Sequence, residues 1–179
     1  AYSSIGHIGY ALAGLASVSN EGIQSSIVYI IIYIIMNLGL FSCLLMMKRN
    51  KEYYEDISDL SGLSKNHPLL SLSLLIILFS LAGIPPLAGF FAKFYIFKSV
   101  IEQSMYFLAI VGLLSTVVSA FYYLRIIKII YFDPEKEKYD KDHSPWLKFS
   151  ITLSTILVLL YFIFPSQLVE MVSRINIIQ

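Results

Sequence analysis

One lysine, Lys93, lies inside an apolar segment that two prolines and two glycines interrupt, in the stretch Ala82-Gly-Ile-Pro-Pro-Leu-Ala-Gly-Phe-Phe-Ala-Lys-Phe-Tyr95. A charge within a lipid bilayer costs about 2.5 to 3.5 kcal/mol even on permissive insertion scales. An ionisable side chain beside a helix break is typical of a membrane ion pathway. The pattern predicts that Lys93 alternates between protonated and neutral forms as a proton carrier. The alternative is a structural lysine whose stem reaches toward the nearer membrane surface.

His7 and Arg125 are the other candidate site residues. An imidazole both accepts and donates protons near neutral pH, so His7 suits a proton relay; the alternative is a packing histidine that is hydrogen-bonded to a neighbouring helix. Arg125 stays protonated and is expected to be an anchor or a charge partner rather than a carrier. Hydroxyl groups that are expected to hold water beside His7 belong to Tyr2, Ser3, Ser4 and Tyr10.

The composition indicates an integral membrane protein. Of 179 residues, 57% are hydrophobic, and the mean hydropathy is +0.72, whereas only 14% are charged, against about a quarter in soluble domains. The net charge of +1 and the lack of a basic face argue against a nucleic-acid partner. Nucleotide-binding glycine motifs, catalytic triads and metal-ligand clusters are not recognisable, and a single cysteine, Cys43, makes a disulfide impossible within the chain. We expect no cofactor, metal or redox centre in this chain.

The apolar segments predict an all-α, polytopic transmembrane helix bundle of about five helices, in one membrane domain covering residues 1–179. About 20 apolar residues cross the hydrocarbon core as a helix, so residues 68–100 are too long for one straight helix. We place a break at Gly83 to Gly89, because Pro85 and Pro86 lack backbone donors and disfavour helix before them. The candidate helices are 1–18, 24–47, 68–100 (broken), 105–132 and 146–164.

Basic residues concentrate in two loops, between the second and third spans and between the fourth and fifth. Because Lys and Arg stay on the inner side of a membrane, both loops are predicted to lie there. The segment Asp56 to Leu63 fits either a short helical turn or a surface loop. No acidic residue lies within a predicted span, so Lys93 and His7 make an incomplete proton path. The missing members are expected from another polypeptide.

Four blocks resemble the proton-pumping antiporter-like membrane subunits of respiratory complex I, and specifically the C-terminal part of NADH:ubiquinone oxidoreductase chain 2. They are Ala1-Tyr-Ser-Ser-Ile-Gly-His-Ile-Gly-Tyr10, Ile57-Ser-Asp-Leu-Ser-Gly-Leu63, Ser80-Leu-Ala-Gly-Ile-Pro-Pro-Leu-Ala-Gly-Phe-Phe-Ala-Lys-Phe-Tyr95 and Phe121-Tyr-Tyr-Leu-Arg125. The resemblance implies that this chain supplies the second half of such a subunit. Lys93 then corresponds to the broken-helix lysine of the outward half-channel, and His7 lies near the central hydrophilic axis.

The resemblance also implies function and partners. The chain is expected to be a non-redox subunit of the proton-translocating NADH:ubiquinone reductase, with NADH, FMN, iron–sulfur clusters and ubiquinone held by other subunits. Expected partners are other complex I membrane subunits, a separate polypeptide that supplies the N-terminal half, and lipids such as cardiolipin. The expected location is the mitochondrial inner membrane, or alternatively the bacterial plasma membrane. A cation/proton antiporter subunit and a non-conducting structural subunit are the competing hypotheses.

Overall fold

The computed structural model describes residues 2–49, 52–53, 56–136, 139, 144–163 and 165–174. These residues form eight helices and one short ribbon, so the predicted all-α helix bundle is confirmed. The ribbon pairs two strands of two residues each and lies in the connection that follows the second long helix. The elements in chain order are α1 (Tyr2–Ala16), α2 (Asn20–Leu45), β1 (Lys48–Arg49), β2 (Glu52–Tyr53), a 3₁₀ turn (Ile57–Leu60), α3 (Leu63–Asn66), α4 (Pro68–Ala82), α5 (Ala88–Glu102), α6 (Tyr106–Phe132), α7 (Pro145–Leu160) and α8 (Pro165–Ser173).

Within the described residues, two helices, α2 and α6, are long and apolar enough to cross a membrane, with 26 and 27 residues. Shorter apolar helices are α4 and α7. Helix α6 exposes large apolar side chains around much of its circumference, including Phe107 and Phe121. Such a surface is stable where the solvent is lipid, because apolar side chains facing acyl chains carry no hydrophobic penalty.

The break between α4 and α5 falls inside the predicted interval. Gly83 ends α4 in the left-handed conformation, at φ +85°, and its N–H donates to the carbonyls of Phe79 and Ser80. This is a glycine-dependent helix end, because other residues rarely adopt that conformation. Pro85 and Pro86 lie in the connection that follows, and the chain becomes helical again at Ala88.

Helix ends differ from the apolar boundaries where capping decides them. Helix α2 begins at Asn20 instead of residue 24, because the Ser19 side chain accepts a hydrogen bond from the Gly22 N–H at 3.0 Å. The fifth candidate span, 146–164, corresponds to α7, which ends at Leu160; residue 164 lies outside the described residues. Helix α8 was not predicted. It packs on α2, where Gln24 Nε2 donates to the Ser173 carbonyl at 3.5 Å.

The loops that were predicted to share the inner side contact each other. Lys136 lies 3.1 Å from the Asp59 carboxylate, and the Asn66 amide donates to the Lys136 carbonyl at 2.9 Å. The hydroxyl of Tyr139 donates to the Asp59 carbonyl at 2.7 Å. These contacts require the connections α2–α4 and α6–α7 to lie at the same end of the bundle. The opposite end therefore holds the α1–α2 and α5–α6 connections.

Helix α2 lies at the centre of the bundle and packs against α1, α4, α5 and α7. Tyr29 and Met36 of this helix are each 1% exposed. Gly39 allows the closest approach: a Cβ atom there would lie 2.7 Å from both Ile77 Cδ1 of α4 and Ser154 Cβ of α7. Small residues at such positions are typical of helix packing in membranes, where close backbone approach supplies the association energy.

We expect Gly39→Ala to destabilise the bundle by about 1–3 kcal/mol, because the added methyl group overpacks the contact of three helices. The measurement is the temperature at which the purified membrane assembly that contains the chain dissociates, followed on native gels after stepwise heating. Gly9→Ala is the matched control, since nothing lies within 4 Å of a Cβ atom at residue 9. Equal midpoints for the two variants would contradict the packing argument.

Candidate functional site

Lys93 is buried at the break between α4 and α5, with 4% of its surface exposed. Its ammonium donates to the carbonyl of Leu81 at 3.0 Å and lies 3.4 Å from that of Ala82. The last carbonyls of a helix have no intrahelical donor. Gly83 and Ile84 donate to the carbonyls of the preceding residues, Phe79 and Ser80, so the lysine takes the two carbonyls that remain.

Glycine at position 83 makes room for this lysine. A Cβ atom on Gly83 would lie 3.2 Å from Lys93 Cδ and 3.3 Å from Nζ, which is tighter than most packed contacts. The left-handed backbone at residue 83 independently disfavours any side chain. The same residue thus ends α4 and leaves a passage for the lysine stem across the break.

A second glycine brings the two half-helices together. The N–H of Gly89 in the first turn of α5 donates to Ser80 Oγ at 2.9 Å, and the Ser80 hydroxyl donates to Met36 Sδ of α2 at 3.0 Å. A Cβ atom on Gly89 would overlap the Ser80 carbonyl oxygen. The four residues predicted to form the break therefore divide into two roles: Gly83 and Gly89 allow close contacts, whereas Pro85 and Pro86 occupy the connection.

Dipoles and an aromatic face surround the Lys93 ammonium. Among the described residues no carboxylate forms an ion pair with it. Carbonyls at the C-terminal end of α4 supply partial negative charge, and Nζ lies 4.9 Å from the centre of the Tyr10 ring. Because no described residue gives the lysine a fixed anionic partner, losing its proton leaves no uncompensated carboxylate among these residues.

Tyr10 connects Lys93 with the second predicted site residue, His7. The Tyr10 ring meets the His7 ring edge-on, with centroids 6.0 Å apart. The Tyr10 hydroxyl lies 2.9 Å from Ser115 Oγ and accepts from Thr116 Oγ1 at 3.0 Å, so it is anchored on α6. Both predicted ionisable residues therefore contact one tyrosine.

His7 is 2% exposed, and both of its ring nitrogens have partners. Nδ1 lies 2.7 Å from the Tyr29 hydroxyl, and Nε2 lies 3.1 Å from the Tyr123 hydroxyl. Tyr123 also forms a hydrogen bond with Ser3. The resulting chain of polar groups runs from Ser3 through Tyr123 and His7 to Tyr29, across α1, α6 and α2. An imidazole in such a chain can accept a proton on one nitrogen and release one from the other.

For His7 the sequence offers a hydrogen bond to a neighbouring helix as one alternative, and the structure shows two such bonds. Their partners, Tyr29 on α2 and Tyr123 on α6, were not predicted. Of the same-segment hydroxyls expected beside His7, that of Tyr2 belongs to a residue that is 91% exposed. A third ring, that of Tyr33, stacks on His7 at 4.8 Å and 16°. The available signal was the spacing of Tyr29 and Tyr33, which are four residues apart and therefore share one helix face.

Arg125 lies on an exposed part of α6. In the described ranges it has no ion pair, and its role as a charge partner stays a prediction. Cys43 is buried. Within the part of the chain that the structure describes, His, Cys, Asp and Glu side chains form no group of three or more that is able to hold a metal ion.

Comparison with known proteins connects this site to a family. The family model described as NADH:quinone oxidoreductase/Mrp antiporter, transmembrane, matches residues 1–119. Subunit N of the NADH-quinone oxidoreductase of Pelagibacter ubique is 80% identical over 99% of this chain, and that of Parvibaculum lavamentivorans is 46% identical over 94%. The chain spans 38% and 35% of the lengths of these two relatives.

Solved structures agree with this relationship. A chain of respiratory complex I from Thermus thermophilus with bound aureothin is 28% identical, with a TM-score of 0.79 over 94% of this chain and 38% of that one. A chain of the Mrp complex from Dietzia sp. has a TM-score of 0.84 over 97% of this chain and 40% of its own length, at 21% identity. The second likeness concerns the fold alone.

We expect Tyr29→Phe to destabilise the protein by about 1–3 kcal/mol, because it leaves buried His7 Nδ1 without its hydrogen-bond partner. Heat stability of the purified membrane assembly measures the effect. Tyr106→Phe at the exposed start of α6 removes the same atom and is expected to leave stability unchanged. A Tyr29→Phe variant as stable as the parent would show that the hydrogen bond to His7 contributes little.

Proposed function

The chain belongs to the NADH:quinone oxidoreductase/Mrp antiporter family of membrane proteins, and we propose that it contributes the outward half of a proton pathway in a respiratory NADH:quinone oxidoreductase. One observation carries the proposal. Lys93 is buried beside a broken helix, and carbonyl groups rather than a carboxylate hold its ammonium. An ionisable residue in that setting is expensive to maintain, so a structural role alone gives a poor account of it.

The proposed mechanism is electrostatic. Two unit charges about 10 Å apart interact by about 1.7 kcal/mol at an effective dielectric constant of about 20, which changes a protonation equilibrium more than tenfold. A positive charge that arrives near Lys93 therefore favours release of its proton, and departure of that charge favours uptake. The carbonyls of Leu81 and Ala82 hold the ammonium in the protonated state.

His7, with the hydroxyls of Tyr29 and Tyr123 that are hydrogen-bonded to it, is the proposed source of the arriving positive charge. His7 gains or loses a proton through the hydrogen bonds to Tyr29 and Tyr123, and Tyr10 is the group that contacts both His7 and Lys93. A relay through hydroxyl and imidazole groups needs no carboxylate, which agrees with the lack of acidic residues in the predicted spans. Arg125 is proposed only as a charge partner at the inner end of α6.

Other polypeptides supply the rest of the enzyme in this proposal. NADH, FMN, iron–sulfur clusters and ubiquinone bind to other subunits, and this chain has a non-redox role. The relatives are about two and a half times as long, so the first half of the antiporter-like subunit comes from sequence outside this chain. A separate N-terminal polypeptide and lipids such as cardiolipin remain proposed partners, along with the other membrane subunits.

We propose the bacterial plasma membrane as the location. The similar proteins of Pelagibacter ubique and Parvibaculum lavamentivorans are bacterial, and the identity to the first is 80%. Membrane embedding follows from the family and from the apolar helices. The mitochondrial inner membrane stays a prediction, with no support from these relatives.

We expect Lys93→Met to leave assembly and NADH:quinone turnover largely in place while NADH-driven acidification of inverted vesicles is lost. The methionine keeps the length of the side chain but has no proton to exchange. Quenching of a pH-sensitive dye in membranes of the cell that makes the chain measures pumping. Lys65→Met, which removes an exposed lysine from α3, is the control and is expected to pump normally.

Normal pumping by the Lys93→Met variant would contradict the proposal and favour a structural subunit. The family also includes Mrp antiporters, so the same vesicles are to be tested with sodium replaced by choline. Proton movement that requires sodium would favour a cation/proton antiporter. Pumping that depends on NADH and is indifferent to sodium supports the respiratory enzyme.

We expect the chain to co-migrate with NADH dehydrogenase activity when membranes are dissolved in mild detergent and separated on a native gel. Mass spectrometry of the active band is expected to find this chain together with peptides of the first half of the subunit, either in the same polypeptide or in a separate one. Migration away from the activity would contradict the assignment to the respiratory enzyme. The masses of the intact polypeptides decide between the two arrangements.

A further inference from the structure

A cavity of about 580 Å³ leads from Lys93 along the seam between α5 and α6. Gly83 and Lys93 line one end, and Lys98 and Glu102 line the other. Glu102 follows Lys93 by nine residues, which corresponds to about 13 Å along the helix. Since α5 ends opposite the contacting inner loops, the second end of the cavity is the outer one.

Aromatic and aliphatic side chains form most of the wall between these ends. They include Phe90, Phe94, Phe97, Ile101 and Leu113. The walls between the two ends lie at membrane depth, so water enters the cavity from its outer end. Lys98 and Glu102 form an ion pair at that end, at 3.5 Å. Apolar walls of this kind stop ions by excluding water.

Phe97 is the most buried of these aromatic residues, with 7% exposed, and its position is fixed on two sides. It lies one helical turn outward from Lys93, and its ring meets the Tyr10 ring edge-on at 5.9 Å. On the other side it abuts Gly112 of α6, where a Cβ atom would lie 2.5 Å from Phe97 Cε1 and 3.1 Å from Cζ. The ring therefore fits the seam only because residue 112 has no side chain.

We propose that Phe97, held in position by Gly112, is a hydrophobic gate in the cavity that leads from Lys93 to the Lys98–Glu102 ion pair. The inference rests on the proposed proton pathway. While Lys93 is bound to the carbonyls of Leu81 and Ala82, the Phe97 ring keeps the seam dry and prevents outer protons from returning. Movement of the ring admits water and connects the lysine to the exposed Lys98–Glu102 ion pair, where a released proton reaches the outer water.

The test measures proton leak through the whole purified complex, reconstituted into liposomes. We expect Phe97→Ala to make an imposed pH gradient decay several-fold faster than in the parent and to lower NADH-driven pumping without lowering NADH:quinone turnover. Gly112→Ala, which displaces the ring, is expected to change leak in the same direction. Phe107→Ala removes an aromatic side chain that is 83% exposed and is the control, with no added leak expected.

The double variant Phe97→Ala with Lys93→Met separates the gate from a general packing defect. If the leak runs through Lys93, the second substitution reverses it; a leak that persists would show a packing defect and overturn the proposal. The proposal would also be overturned if neither the Phe97→Ala complex nor the Gly112→Ala complex made the pH gradient decay faster than in the parent. If Phe97→Ala fails to assemble, Phe97→Leu retains more of the packing and is expected to leak measurably, so a tight Phe97→Leu complex would refute the gate.

The failure of the gate is distinguishable from the failure of the pathway. A Lys93→Met complex that pumps normally rejects the pathway, whatever Phe97 does. A Lys93→Met complex that does not pump, together with tight Phe97 and Gly112 variants, rejects only the gate.

Discussion

A broken helix in a membrane must find partners for the backbone groups that the break releases, and this requirement organises the structure around Lys93. Carbonyls that remain unpaired within the hydrocarbon region cost several kcal/mol. Gly83 and Ile84 satisfy the carbonyls of Phe79 and Ser80, and the lysine satisfies those of Leu81 and Ala82. A cation and two freed carbonyls, each unfavourable alone, are stable together.

This arrangement also makes the site responsive to charge. Fixed dipoles hold the ammonium less firmly than a buried carboxylate would, so a modest change in the local field is able to shift its protonation. Tyr10 on α1 contacts both Lys93 and His7, and both ring nitrogens of His7 are hydrogen-bonded. A change of charge at His7 is therefore close enough to act on Lys93. The contacts that stabilise the break are thus the same ones that set the charge environment of Lys93.

The sequence predicted the break well, because proline and glycine act through local geometry that any membrane helix shares. It also predicted which loops share a side, since basic residues report orientation directly. It did not predict the Tyr29 and Tyr123 contacts of His7, because these contacts need three helices to converge. In the sequence, Tyr29 is 22 positions from His7 and Tyr123 is 116 positions from it. The start of α2 was missed for a different reason: Ser19 caps the helix through one hydrogen bond, a signal weaker than the apolar pattern. Helix α8 was missed because its sequence has no apolar segment long enough to predict a helix.

The length of the two half-helices constrains how the chain is inserted during synthesis. Helices α4 and α5 have 15 residues each, short of the roughly 20 that cross a bilayer, so neither suits insertion as an independent segment. Because α4 begins at one end of the bundle and α5 ends at the other, the two halves together make a single crossing. The last carbonyls of α4 find their donor only in Lys93, so we expect the two halves to enter the bilayer as one unit.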